Sequence, residues 1–313
     1  MGAAGEVMHA TTAMPLAARY RVLHETIYHY SSQVSSSRQI AHLAPRDTPW
    51  QRLLRHSLEV EPGCSERSTG TDYFGNAYER FFVDEPHHML AVRASSEVVV
   101  SHRQPLAGDP SPAWDEVALP AGARPQVIDL EVEQYRVASP AAPVFAAARD
   151  YAMPSFPAGR PWLEAVFELT RRIQQEFVYD PGATTISTSV SEVLEQRRGV
   201  CQDFAHLMIS SLRSLGIAAR YVSGYVLNQG VDGLRNAGAD ASHAWVAAYC
   251  PGLGWVDFDP TNGKLANEEF ITLGWGREYQ DVTPLRGVVL GSATQRLGVA
   301  VRVTPLALDP PPS

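Results

Sequence analysis

Lysine is all but missing from this chain: Lys264 is the only one in 313 residues, and arginine supplies the rest of the 26 basic side chains. The net charge is −8 and the arginines are spread with no basic run, which excludes the electrostatic footprint of a nucleic-acid binder. Cysteine is scarce as well. Cys64, Cys201 and Cys250 make no disulfide framework, and although Cys64 and Cys250 form a conceivable pair, a reduced compartment better suits an exposed reactive thiol. No apolar run approaches the roughly 20 residues that span a bilayer. Nor do the first seventeen residues join a basic segment to a firm apolar core, so no signal peptide is expected and the cytoplasm is the expected location. Motifs of whole enzyme classes are absent too. There is no His-Glu-x-x-His, no acidic calcium loop (Asp232 and Asp240 are too few) and no Gly-x-Ser-x-Gly, so metal hydrolases, calcium-activated enzymes and serine hydrolases are disfavoured. No metal or cofactor is expected.

What is present is ample apolar material, 45% of the chain, enough for a sizeable core and two domains. Residues 1–18 read as a flexible leader. From Tyr20, alternation through Val22, His24, Thr26 and Tyr28 reads as a strand, and β-prone runs recur at Leu53–Val60, Tyr78–Val83, Met89–Val92 and Ser96–Val100, with Gly75-Asn76 suited to a two-residue hairpin turn. Residues 19–105 are therefore expected to form a β-sandwich-like domain. Its neighbouring His87 and His88 point to opposite faces of a strand and read as structural. Residues 106–160, rich in proline and alanine, read as a connection with short helices, one near Pro143–Tyr151. Residues 161–284 form the expected core, which opens on a helix over Pro161–Phe177 with Pro161 at its first position. The tail, 285–313, holds two β-prone runs, Gly287–Leu290 and Leu297–Val303, that return to one sheet or the other.

The chemistry concentrates in the core. After Cys201, the residues Phe204, Met208, Leu212 and Leu215 recur at helical spacing, and Gly216 supplies a stop. Cys201 thus falls in the first turn of a helix, where unpaired N–H groups and the macrodipole favour a thiolate. A β-prone run, Ala218–Leu227, and a Gly/Asn/Asp-rich loop, 228–240, lead to a second strand that starts at His243 and carries Trp245 on the same face. A Pro251-Gly252-Leu253-Gly254 turn then returns the chain as a third strand bearing Asp257 and Asp259 on one face. A thiol, an imidazole and a carboxylate are the parts of covalent acyl transfer.

Gly-Val-Cys-Gln-Asp-Phe-Ala-His at 199–206, Ser-His-Ala-Trp-Val at 242–246 and Gly-Trp-Val-Asp-Phe-Asp-Pro-Thr at 254–261 resemble the core of the transglutaminase-like superfamily. Blocks at 20–30, 72–76 and 276–287 resemble the bacterial members with an additional N-terminal β domain, so the likeness covers nearly the whole chain. The resemblance implies an α+β, papain-like core, a helix packed on antiparallel sheet. It also implies a catalytic set of Cys201, His243 and, as the aspartate before Pro-Thr, Asp259 in preference to Asp257.

The implied substrate is a peptide or protein amide. Hydrolysis by a cysteine peptidase or amidase is the preferred expectation, with protein-glutamine transamidation and a non-catalytic scaffold of the same fold as alternatives. Nucleic acid and membrane are not expected partners, and self-association into a homo-oligomer is left open. The Cys201 N–H is the first candidate oxyanion donor, with Gln196 and Tyr179 as weaker ones. His206 reads as a packing residue. Asp203 reads as a first-turn stabiliser or the partner of an arginine such as Arg220, and Arg277, Tyr279 and Asp281 belong to a loop of underived role.

Overall fold

Alternating side chains over one very long strand have two different surfaces to cover, and that requirement organises the fold. The computed structural model describes residues 17–103, 105, 107–119, 129–184, 188–227 and 241–307. The first half supplies β1 (Ala17–Val34), β2 (Ser36–Ala41), β3 (Gln51–Glu61), β4 (Glu66–Thr71), β5 (Ala77–Val83) and β6 (His87–Ser101). Then come α1 (Trp114–Val117), α2 (Leu130–Glu133), α3 (Ala146–Ala152), α4 (Trp162–Glu176), β7 (Val178–Tyr179), α5 (Val190–Gln196), β8 (Arg198–Gly199) and α6 (Cys201–Ser214). Five strands complete the core, β9 (Ala219–Val226), β10 (His243–Cys250), β11 (Gly254–Asp259), β12 (Lys264–Leu265) and β13 (Phe270–Gly276), before β14 (Leu285–Leu290) and β15 (Gln295–Leu306).

The strands form antiparallel sheets in the orders β15-β1-β6-β3, β14-β2-β5-β4 and β12-β11-β10-β9-β13. In β1 every even-numbered residue from Tyr20 to Tyr30 is buried. The first part of that stripe, Tyr20 and Val22, joins Val98, Val100, Val301 and Val303 against Tyr225, Ile271 and Leu273 of the five-stranded sheet. The second part, Tyr28 and Tyr30, joins Leu90 and Val92 against Phe81, Val83 and Leu285 of the other N-terminal sheet. One face of one sheet therefore seals both a β-sandwich and an α+β core. The tail returns to the N-terminal sheets at both of its strands, β14 beside β2 and β15 beside β1.

Strand β13 is an edge of the five-stranded sheet, and its backbone groups need partners. Two side-chain amides of the N-terminal half provide them. Gln51 Nε2 donates to Thr272 O at 2.7 Å while its Oε1 accepts from Thr272 N at 2.8 Å, and Asn76 makes the same exchange with Trp275 O and N at 2.8 and 3.0 Å. Recruitment of Asn76 explains a departure from expectation. Gly75-Asn76 does not make a two-residue hairpin; the turn runs from Asp72 to Asn76, with Asp72 Oδ1 accepting from the Phe74 and Asn76 N–H groups at 2.9 and 2.8 Å. The runs Met89–Val92 and Ser96–Val100 likewise belong to one strand, β6, because Arg93 between them faces outward to Glu25 and Glu61 and breaks the hydropathy without breaking the backbone. Pro161 occupies the N-cap of α4, with Trp162 as the first helical residue.

Helix α6 is enclosed more fully than a single apolar stripe implies. Phe204, Met208, Leu212 and Leu215 are buried, but so are Ala205, Leu207 and Ile209, since α3, α4 and α5 cover the side away from the sheet. The segment expected as a connection packs here too, with Val117, Tyr151, Ala152 and Phe156 in the same cluster. Gly216 ends the helix with φ of +80°, and a Cβ there would lie 2.0 Å from Leu119 O. Gly216→Ala is therefore expected to cost more than about 1 kcal/mol in urea unfolding, from left-handed backbone plus collision. Gly63→Ala, where a Cβ meets nothing within 4 Å, is the control expected to stay within about 0.5 kcal/mol of wild type.

Candidate active site

Cys201 is the first residue of α6, after Val200 at the N-cap. The approach to it is tightly specified. Strands β7 and β8 pair in parallel, which sets Tyr179 beside Gly199, and Asp203 reaches back so that its Oδ2 accepts from Val200 N at 2.8 Å and Thr184 Oγ1 at 2.6 Å. Burial raises the Asp203 carboxyl above its ordinary range, against the pull of those two donors. Of the two roles expected for Asp203, the structure gives it the first-turn one. Arg220 lies elsewhere, sandwiched between Trp255 and Trp275 at 4.2 and 3.8 Å.

The second and third candidates meet across the β10–β11 hairpin, Val246 opposite Phe258. His243 Nε2 donates to Asp259 Oδ2 at 2.8 Å, and both residues are enclosed, 1% and 0% exposed. Asp259 is saturated: Oδ1 accepts from Thr261 N at 2.8 Å and Asn262 N at 3.3 Å, and Oδ2 also takes Asn262 Nδ2 at 2.7 Å. Burial alone would raise its carboxyl, but His243 and these donors hold it below the ordinary value. For His243 burial acts to lower the imidazole, and Asp259 together with the Cys201 sulfur outweighs it, lifting the ring to about 10. The remaining ring nitrogen, Nδ1, is buried and has no hydrogen bond of ordinary geometry among the described residues. The polar group that interacts with the ring from outside the Asp259 cluster is Cys201.

Period two alone leaves Asp257 and Asp259 equivalent; the contacts do not. Asp257 Oδ2 accepts from Trp245 Nε1 at 3.1 Å and from Arg103 Nη1, while His243 is bound to Asp259. Gly224 stands directly opposite His243 on β9. A Cβ at Gly224 would lie 2.1 Å from Ile271 O and 2.4 Å from the Trp245 ring, so glycine is what admits the indole beside the imidazole.

Of the weaker oxyanion candidates, Gln196 is exposed on α5, and Tyr179 is 36% exposed on β7. His206 is buried and neutral, lowered to about 3 by burial and then Arg213; its Nε2 accepts from Tyr279 N at 3.2 Å. It lies 5.0 Å from the ring of Tyr221, which in turn packs edge-on against Tyr279 at 6.1 Å. Burial and then Cys201 raise both phenols. Tyr221 was not singled out in the sequence; its signal was alternation, which turns it toward α6 with Ala219. Arg277 and Asp281 close the loop that carries Tyr279, with Arg277 N donating to Asp281 Oδ2 at 2.8 Å. Cys64, Cys201 and Cys250 are all free, and burial pushes the Cys250 thiol up to about 11. The loop at 228–240 lies outside the described residues.

Comparison with known proteins agrees with this architecture. Residues 155–260 match the family described as transglutaminase-like superfamily, and residues 20–99 the bacterial transglutaminase-like N-terminal region. An uncharacterized protein of Mycobacterium tuberculosis is 40% identical over 316 residues, spanning 96% of this chain and 98% of its own. A protein-glutamine gamma-glutamyltransferase of Pseudomonas aeruginosa is 36% identical over 103 residues, 30% of this chain and 15% of that protein. The crystal structure of a cysteine-protease candidate from Cytophaga hutchinsonii shares the fold, with a TM-score of 0.71 and 21% identity over 95% of this chain and 93% of that one.

A raised histidine makes stability depend on pH with a definite sign. Below 6.5 both folded and unfolded chains hold the His243 proton and the stabilisation is complete; between 6.5 and about 10 only the folded chain holds it, so stability falls as pH rises. Urea unfolding of wild type against the neutral double variant His243→Gln/Asp259→Asn is expected to show an advantage that shrinks through that window and is lost above it. An advantage constant across the window would mean that His243 is not protonated in the folded state.

Proposed function

Since the chain belongs to the transglutaminase-like superfamily, we propose that it is a thiol-dependent acyl-transfer enzyme in which Cys201, His243 and Asp259 act on peptide or amide carbonyls. The observation that carries this reading is the fully buried His243–Asp259 pair with the Cys201 sulfur interacting with the imidazole from the start of α6. A buried carboxylate–imidazolium pair costs desolvation, and such perturbed groups cluster at chemical sites, which favours chemistry over a scaffold alone.

The steps follow from the atoms. The Cys201 thiolate forms a bond to the carbonyl carbon while the carbonyl electron pair moves to oxygen. Backbone N–H groups of the first turn of α6, that of Cys201 foremost, have no intrahelical acceptor and are the donors proposed for that oxyanion. The intermediate collapses as the C–N bond breaks, and the leaving amine takes the proton of His243, leaving a thioester. Neutral His243 then removes a proton from the incoming nucleophile, which attacks the thioester and releases Cys201. Asp259 keeps the ring oriented and stabilises its cationic form throughout, making no bond itself.

Water as the incoming nucleophile gives a cysteine peptidase or amidase, the activity we favour. Transamidation to an amine is the second reading, favoured by the likeness of 30% of this chain to the Pseudomonas aeruginosa enzyme named above. We also propose a cytoplasmic location, where the free thiols of Cys64, Cys201 and Cys250 would stay reduced. Among the described residues no helix is long and apolar enough to cross a membrane.

The test is mass spectrometry of glutamine- and asparagine-containing peptides incubated with the enzyme, with and without a primary amine. Cleavage or deamidation without amine adduct is expected in wild type; amine incorporation would establish the second reading. Cys201→Ala and His243→Ala are expected to lose at least about a thousandfold in turnover, and Asp259→Asn less than either. Turnover undiminished in Cys201→Ala would remove the thiol from the mechanism.

A further inference from the structure

The two aspartates of β11 pose a problem that the proposed chemistry sharpens. Asp257 and Asp259 are both buried on one face, and each binds an aromatic N–H of β10, Trp245 Nε1 and His243 Nε2 respectively. These are equivalent rungs two residues apart. An ionised Asp257 without a counter-charge would be costly in this interior and would compete with Asp259 for the imidazolium.

The counter-charge comes from the far side of the chain. Arg103 follows β6, lies 154 positions before Asp257 and is 7% exposed. Its Nη1 donates to Asp257 Oδ2, and its Nη2 donates to Phe270 O at 2.7 Å. Phe270 stands edge-on to Trp245 at 5.3 Å and lies 6.2 Å from the His243 ring, while Trp245 itself lies 6.1 Å from that ring. Both residues that wall the imidazole are thus fixed through one guanidinium. Arg220 adds positive charge near Asp257, but its own guanidinium is committed to the stack between Trp255 and Trp275. Arg103 falls in neither family-matched stretch, 20–99 or 155–260.

We propose that Arg103 is a positioning residue for the Cys201 site. By holding Asp257 on the Trp245 indole and tethering Phe270, it keeps Asp259 on His243 and keeps the aromatic wall against the imidazole. This rests on the reading of Cys201 as nucleophile with His243 as its partner.

Alkylation by iodoacetamide at neutral pH, resolved by peptide mass mapping so that Cys64 and Cys250 are scored separately, reads the site without a substrate. Arg103→Met is expected to slow the Cys201 adduct at least about tenfold, the scale on which a misplaced catalytic group loses rate. Adding Asp257→Asn, whose amide oxygen still accepts from Trp245 but carries no charge, is expected to recover most of that loss. A role confined to stability would lower the urea midpoint and leave the Cys201 rate of the folded protein unchanged, with the double variant no faster than the single one; either result overturns the proposal. Should Arg103→Met not fold, Arg103→Gln serves: it keeps a polar side chain but removes the charge that answers Asp257, and a wild-type rate there overturns the proposal as well. The underlying reading fails separately, and visibly, if wild-type Cys201 reacts no faster than Cys201 in His243→Ala.

Discussion

Asp259 has no exposed surface, and a carboxylate so placed persists only if its lone pairs are taken up and its charge is answered. The local structure meets that demand in full. The chain turns immediately after β11 so that the N–H groups of Thr261 and Asn262 point back at one oxygen, while the Asn262 amide and the His243 ring share the other. The register of β10 on β11 then follows, because only that alignment brings His243 to the carboxylate. The imidazole is held charged as a consequence, and its outer nitrogen is left for the thiol at the start of α6. On the proposed mechanism, reactivity at Cys201 thus depends on Asp259 acting through His243.

The same interior needs a second answer for Asp257, and it arrives from the N-terminal half. Sheet β15-β1-β6-β3 is continuous under both the β-sandwich and the five-stranded sheet, so the end of β6 delivers Arg103 to the back of the hairpin while Gln51 and Asn76 hold the edge strand β13. The N-terminal domain is in this sense part of the wall of the site. The return of β14 and β15 to the N-terminal sheets pins the loop of Tyr279 between the two halves.

Much of this was legible in the residues. Helical spacing after Cys201 and a glycine stop place the thiol in a first helical turn, and the turn at 251–254 makes a hairpin of the strands carrying His243 and Asp259. What was not legible is instructive. Period two cannot separate Asp257 from Asp259, since they share a face; the distinction lies in an arginine 154 positions away, beyond any local pattern. Alternation read β6 as two runs because outward Arg93 looks like an interruption, and Asn76 looked like a turn residue because its partner, Trp275, is remote in sequence. Tyr221 escaped notice since a tyrosine in a buried strand carries no local mark of the helix it packs against.

The central claim is a buried imidazolium at His243, held between Asp259 and the Cys201 sulfur. Nitrogen NMR of histidine-labelled protein, with His243 assigned by substitution, observes it directly. Both ring nitrogens are expected to stay protonated through neutral and mildly alkaline pH, with titration only toward about 10. A ring that loses its proton near the ordinary 6.5 would contradict the claim.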